Sequence, residues 1–145
     1  MQKEYKINQV NPSKGALDFS YLLDAPAGKH GFVQAKNGHL YYEDGTRARF
    51  LGFNMATRSN AVNHELAEKL AGRFASLGVN VIRLHAADAP IGEQERSWSS
   101  CKEAPLLDYE KGTSRFFHPE GLDRFDYFVA KLKEKGIYIH IDLIV

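Results

Sequence analysis

Two apolar runs in this 145-residue chain carry the side chains best able to do chemistry. GVNVIRLH ends in Arg83 and His85, and IYIHIDLIV holds His140 and Asp142 within it. A guanidinium inside a run of Val79, Val81, Ile82 and Leu84 needs an anionic partner, because an unpaired buried cation is strongly unfavourable. Arg83 therefore either ends an ordinary strand against a structural carboxylate or stands at the rim of a site. Asp142 is the carboxylate best placed for a special environment, its ordinary reading being a satisfied core group bonded to His140 or Arg83. His85, His140 and Asp142 are the right types to ligate a metal, yet no helical histidine spacing supports that and no metal is expected. The other acidic candidates, Glu93, Glu95, Glu103 and Asp108, fall in a loop, where a solvated surface role is the default.

These groups must be positioned by strands. With period-2 alternation Val81, Arg83 and His85 share one face, and Ile82 and Leu84 point to the other, toward a helix layer. Before that run, Asn63-His64-Glu65 opens a helical stretch in which Leu66, Leu70, Phe74 and Leu77 form a stripe widened by Ala67 and Ala71. Gly78 is its stop. After a long stretch over residues 86–117 without sustained period, His118-Pro119-Glu120 starts a second helix with the stripe Leu122, Phe125, Val129 and Leu132. Lys131, Lys133 and Lys135 load its last turn, and Gly136 ends it. In the following strand Tyr138, His140 and Asp142 share the polar-bearing face. The pattern predicts neighbouring parallel strands over 50–54, 79–85 and 137–144, joined right-handedly by helices over 66–77 and 122–135. Upstream, Asn37-Gly38 and Asp44-Gly45 favour tight hairpins linking FVQAK, HLYYE and RARFLGFN as three antiparallel strands. Tyr41 and Tyr42 then point to opposite faces, so at least one covers apolar surface. The first 20 residues, with Asn11-Pro12-Ser13-Lys14-Gly15, predict an extended arm.

Composition narrows the class. Hydrophobic residues make up 43% and charged residues 26%, as in ordinary soluble proteins. The formal net charge of +1 and scattered Lys and Arg give no footprint for nucleic acid or a membrane surface. Cys101 is the single cysteine, so neither an internal disulfide nor a structural zinc site is expected. No signal-peptide pattern or membrane span is visible, which predicts a cytoplasmic protein or a secreted one whose leader preceded Met1.

The succession EDGTRARFLGFN, GVNVIRLH and GLDRFDYFVAKLKEKGIYIHIDL resembles the first three β/α units of a glycoside hydrolase family 5 (cellulase family) barrel. The resemblance implies an α/β fold, the N-terminal portion of a TIM (β/α)8 barrel, over residues 31–145, with a hairpin plugging the bottom and an arm over 1–30. It further implies a retaining hydrolase acting on O-glycosidic bonds of a polysaccharide or oligosaccharide without a cofactor. By this resemblance Arg83 helps hold the nucleophilic carboxylate ionised, Asn54 ends the first strand, and His85 and Asp88 lie on the substrate side. Trp98, with Phe116 and Phe117, would supply a sugar-stacking platform, and Asp142 joins the substrate-binding set. Relatives often carry a histidine at the end of the third strand, where Ile144 stands here. Both essential glutamates would fall beyond Val145, so the chain alone should be inactive. The rival reading is a non-enzymatic carbohydrate-binding module that self-associates through its exposed strand edges.

Overall fold

The computed structural model describes residues 17–88 and 105–142. An antiparallel hairpin, β1 (Val33–Lys36) and β2 (His39–Tyr42), precedes a three-stranded parallel sheet in the order β3 (Gly52–Ala56), β4 (Val81–His85), β5 (Tyr138–Ile141). Helix α1 (His64–Ser76) connects β3 to β4, and α2 (Pro119–Glu134) leads into β5. The fold is thus α/β with a parallel sheet.

The helix starts follow from their caps. Asn63 Oδ1 accepts from the Leu66 N–H at 2.9 Å, and His118 Nδ1 accepts from the Gly121 N–H at 3.3 Å with Pro119 opening α2. Their buried faces differ from the expected stripes. On α1 the inward residues are Ala67, Ala71, Phe74 and Ala75, while Leu66 is 38% and Leu77 43% exposed. Helix α1 makes its closest approach to α2, which the small side chains on its buried face permit. On α2 the fully buried aromatic is Phe128, outside the expected stripe, with Leu132 and Gly121 beside it; Phe125 and Val129 are half-buried. Ile82, Leu84 and Ile137 complete the core with no exposure. Each such aliphatic side chain contributes about 1.5–3 kcal/mol of burial.

Strand limits also move. The first parallel strand is Gly52–Ala56, two residues later than expected, because Phe50 is used elsewhere and Gly52 is the first residue to pair with β4. A Cβ on Gly52 would lie 2.0 Å from the Val81 carbonyl oxygen, so only glycine admits this approach. The expected third antiparallel strand shrinks to one bridge, Tyr41 to Arg47, since the chain beyond it turns into the parallel sheet. Asn80 joins the strand starts: its Oδ1 accepts from the Leu51 N–H at 2.7 Å and its Nδ2 donates to the Arg49 carbonyl at 2.8 Å.

The part of the expected arm that is described, residues 17–30, lies against the helices. The Phe19 N–H donates to the Ser76 carbonyl and the Ala27 N–H to the Lys133 carbonyl, both at 2.9 Å, and Ala27 is buried. These bonds satisfy carbonyls of the last turns of α1 and α2. The hairpin is fixed to the same end by rings: Tyr42 stacks on Tyr138 at 5.5 Å, and Phe50 meets both edge-on. His30 straps the loop to the turn after β2, its Nδ1 2.5 Å from Asp44 Oδ2 and its Nε2 bonded to Asp24. Asp24 first, and then Asp44, raise the His30 pKa.

Burial, aided by the neighbouring Tyr138 phenol, pushes the Tyr42 hydroxyl up to about 12 from an ordinary 10.0. A raised phenol pKa means the folded state favours the neutral form. The contribution is complete below pH 10 and is lost as pH rises through about 12. Urea midpoints measured across that window should fall for the native chain and fall less for Tyr42→Phe.

Candidate functional site

The parallel register decides which side chains meet. Asn54 pairs with Arg83 and Arg83 with His140, while Ala56 pairs with His85. Ile82 and Leu84 bury into the helix layer as expected, which turns Val81, Arg83 and His85 to the opposite face. On that face, at the C-terminal end of the sheet, Arg83 is gripped from both sides. Its Nε donates to Asp142 Oδ1 at 3.2 Å and its Nη2 to Asp142 Oδ2 at 2.5 Å, a bidentate pair, while Nη1 donates to Asn54 Oδ1 at 3.2 Å. Among the described residues three of the five guanidinium N–H donors are committed to these partners and two have none, on a side chain 43% exposed.

Asp142 Oδ2 also accepts from His85 Nδ1 at 2.6 Å. Because a carboxylate only accepts, this bond places the Nδ1 proton on the histidine and leaves Nε2 uncommitted to Asp142. The sequence reading named His140 or Arg83 as the partner of Asp142. The structure gives Arg83 and His85, with His140 Nε2 3.7 Å from Asp142 Oδ1 and largely exposed. Residues two apart on one strand stand ~6.5–7 Å apart at their backbones, whereas neighbours on adjacent strands approach to ~5 Å, so the cross-strand histidine wins. Bonds from His85 and then Arg83 hold the Asp142 carboxyl below its usual range, against the opposing effect of burial.

Two supporting groups escaped the sequence reading. Asn60, in the turn after β3, is 2% exposed and its Nδ2 donates to the His85 carbonyl at 2.8 Å. Its Oδ1 is buried without a partner among the described residues. Immediately beyond, Ala86 takes φ +50°, a left-handed conformation unusual for a residue with a Cβ. The Tyr109 hydroxyl donates to the Asp88 carbonyl, tying the loop after β4 to the segment before α2. Nothing in the local sequence marks either role, since an asparagine or tyrosine in a loop reads as surface. Asp88 itself follows β4 half-buried, with no side-chain bond to the Arg83 group. Phe116 and Phe117 are about half exposed, and Leu107 bridges Phe117. Trp98, Glu93, Glu95, Glu103, Cys101 and Ile144 lie outside the described residues. Asp108 caps a short turn, accepting from the Glu110 N–H. Among the described residues no cluster of His, Cys, Asp or Glu has metal-holding geometry, and no helix is long and apolar enough to cross a membrane.

Two outcomes test this frame. The lowered Asp142 pKa means its contribution is present above the ordinary value of 3.8 and is lost as pH falls through the lower folded value. Acid unfolding followed by circular dichroism should therefore be steeper for the native chain than for Asp142→Asn. At neutral pH Asn60→Asp sets a buried carboxylate against the His85 carbonyl and should destabilise by about 3–5 kcal/mol in urea. Asn60→Ala, which removes an orphaned acceptor along with the donor, should cost only ~1 kcal/mol.

No protein-family model matches the chain, and no curated protein matches it. Solved structures do. A glycoside hydrolase family 5 structure from Bacteroides vulgatus is similar with a TM-score of 0.55 at 15% identity, over 82% of this chain and 26% of that one. A second structure, described as a glycoside hydrolase, gives a TM-score of 0.54 at 18% identity, with the same coverage of both chains. At these identities the likeness is one of fold, in agreement with the resemblance read from the sequence. The chain spans about a quarter of the length of the structures it matches, and its fold resembles a partial region of the glycoside hydrolase family 5 type.

Proposed function

We propose that the chain forms three successive β/α units of a glycoside hydrolase barrel, within a retaining enzyme acting on O-glycosidic bonds of a polysaccharide or oligosaccharide. The observation that carries this reading is the Arg83 guanidinium, fixed by Asn54 and Asp142 at the C-terminal end of a parallel sheet. That end of a β/α barrel is where substrates bind. A retaining mechanism needs a nucleophilic carboxylate and a carboxylic acid ~5–5.5 Å apart. In this proposal both are glutamates from later strands, and the two N–H groups of Arg83 without a partner among the described residues bond the nucleophile and keep it ionised. Asn54, His85, Asp88 and Trp98 then face the sugar. Asp142 was expected to touch substrate as well. With both its oxygens engaged by Arg83 and His85, it serves better as the group that orients them.

The test is hydrolysis by the 145-residue chain and by a form extended through its parent reading frame. The expected result is no turnover of nitrophenyl glycosides by the chain, and turnover by the extended form that Arg83→Ala lowers by at least about a hundredfold. Turnover by the purified chain that Asp142→Asn abolishes would move the chemistry into these residues and overturn the proposal. A second reading is favoured by the exposure of Ile139 and Ile141, 39% and 42%, on β5. A non-catalytic module would cover them by pairing two copies, giving a dimer by light scattering where the barrel reading, in the extended form, gives a monomer.

A further inference from the structure

At the opposite end of the sheet the hairpin carries a groove of 580 Å³, whose lining includes Lys36, His39, Arg47 and Arg49 with Leu40 and Phe50. This volume lies within the ~300–1,000 Å³ common for ligand sites. Among the described residues no carboxylate lines it, although the chain as a whole carries a net charge of only +1. The nearby acids are turned to other work: Asp24 bonds Lys29 and His30, and Asp44 bonds His30 and the Thr46 N–H. Arg47 Nη2 reaches His39 Nδ1 at 3.0 Å, so the one bond between lining side chains joins two nitrogen groups. Among the described residues the three permanent cations, Lys36, Arg47 and Arg49, have no anionic partner.

The backbone beneath them is fixed. The Ala48 N–H donates to the Leu40 carbonyl at 2.9 Å, the Tyr42 N–H to the Thr46 carbonyl at 2.9 Å, and the Arg49 carbonyl accepts from Asn80. Arg47 and Arg49, two residues apart in an extended segment, project toward the same side at a spacing of ~7 Å. Planar guanidinium groups held on rigid backbone suit bidentate recognition of carboxylates, and the adjoining Leu40 and Phe50 offer apolar surface of the kind a sugar ring covers. A peptide strand fits less well, because the β2 edge beside the groove is already bonded by residues 46–48 and has no open ladder to extend.

We propose that this groove is a non-catalytic subsite for a carboxylate-bearing oligosaccharide, remote from the Arg83 group. The inference rests on the carbohydrate-active reading above and adds a substrate class to it. Calorimetric titration of the 145-residue chain with oligogalacturonate, and with its neutral methyl ester, tests it. The acid should bind at least about tenfold more tightly than the ester, and Arg47→Gln with Arg49→Gln should remove that preference while Arg83→Gln preserves it. Affinity for the acid should also fall with added salt. Circular dichroism of the double variant checks that the hairpin remains folded, and Lys36→Gln alone, on a solvated side chain, should weaken binding in the same direction. Equal binding of acid and ester, or acid binding indifferent to the groove substitutions, overturns the subsite. If Arg83→Gln alone abolishes binding, the sugar sits at the strand ends and the carbohydrate reading survives without the groove. Poly-glutamate bound as tightly as the oligosaccharide, with the same sensitivity to the arginine substitutions, would make the groove a site for acidic polypeptide. Failure of acidic and neutral oligosaccharides alike to bind either end overturns both readings.

Discussion

A guanidinium within a parallel sheet has to be answered by an anion from a neighbouring strand, and much else in this structure follows from that demand. Arg83 cannot be satisfied by its own strand, since Val81 and His85 are its nearest companions on that face. The answer comes from Asp142, just past the end of β5, and from Asn54 on β3. All three strands must therefore be in register before the cation is compensated. The apolar side of the same strands sets that register independently, through Ile82 and Leu84 against Phe74, Phe128 and Leu132. Helix packing and polar pairing agree on one alignment, and a slip of one residue would expose the core and orphan Arg83 together.

The two ends of the sheet are built from different materials. At the N-terminal end Tyr42, Phe50 and Tyr138 close the sheet with rings, and Asn80 gathers three chain segments into one bonded corner. At the C-terminal end the described residues are ordered by charge-assisted bonds around Asp142.

Much of this was legible in the residues. Alternation in GVNVIRLH gave the correct faces for β4, and the caps at Asn63 and His118 marked the helix starts, because these signals are local. The helix stripes were less legible. Leucine outweighs alanine in any periodicity argument, yet the close approach of α1 to α2 favours Ala67, Ala71 and Ala75 on the buried face. Arg83 bonds Asp142 as the residues suggested, and His140 stands 3.7 Å from it, but the His85 bond was not legible, because the cross-strand geometry that makes it exists only after folding. Asn60 and Tyr109 were invisible for the same reason: each acts on a backbone carbonyl more than 20 residues away, at separations of 25 and 21. A hydrogen bond to a main-chain oxygen leaves no trace in residue type.

The left-handed backbone at Ala86 bears on how such a protein can diversify. The direction in which the chain leaves β4 is fixed by that one dihedral and by the Asn60 amide beneath it, whatever loop sequence follows. Loop length and composition are thereby insulated from the placement of Arg83 and His85. Variation at position 86 is in turn limited to residues that tolerate a left-handed backbone, and a β-branched residue there would be a steric outlier.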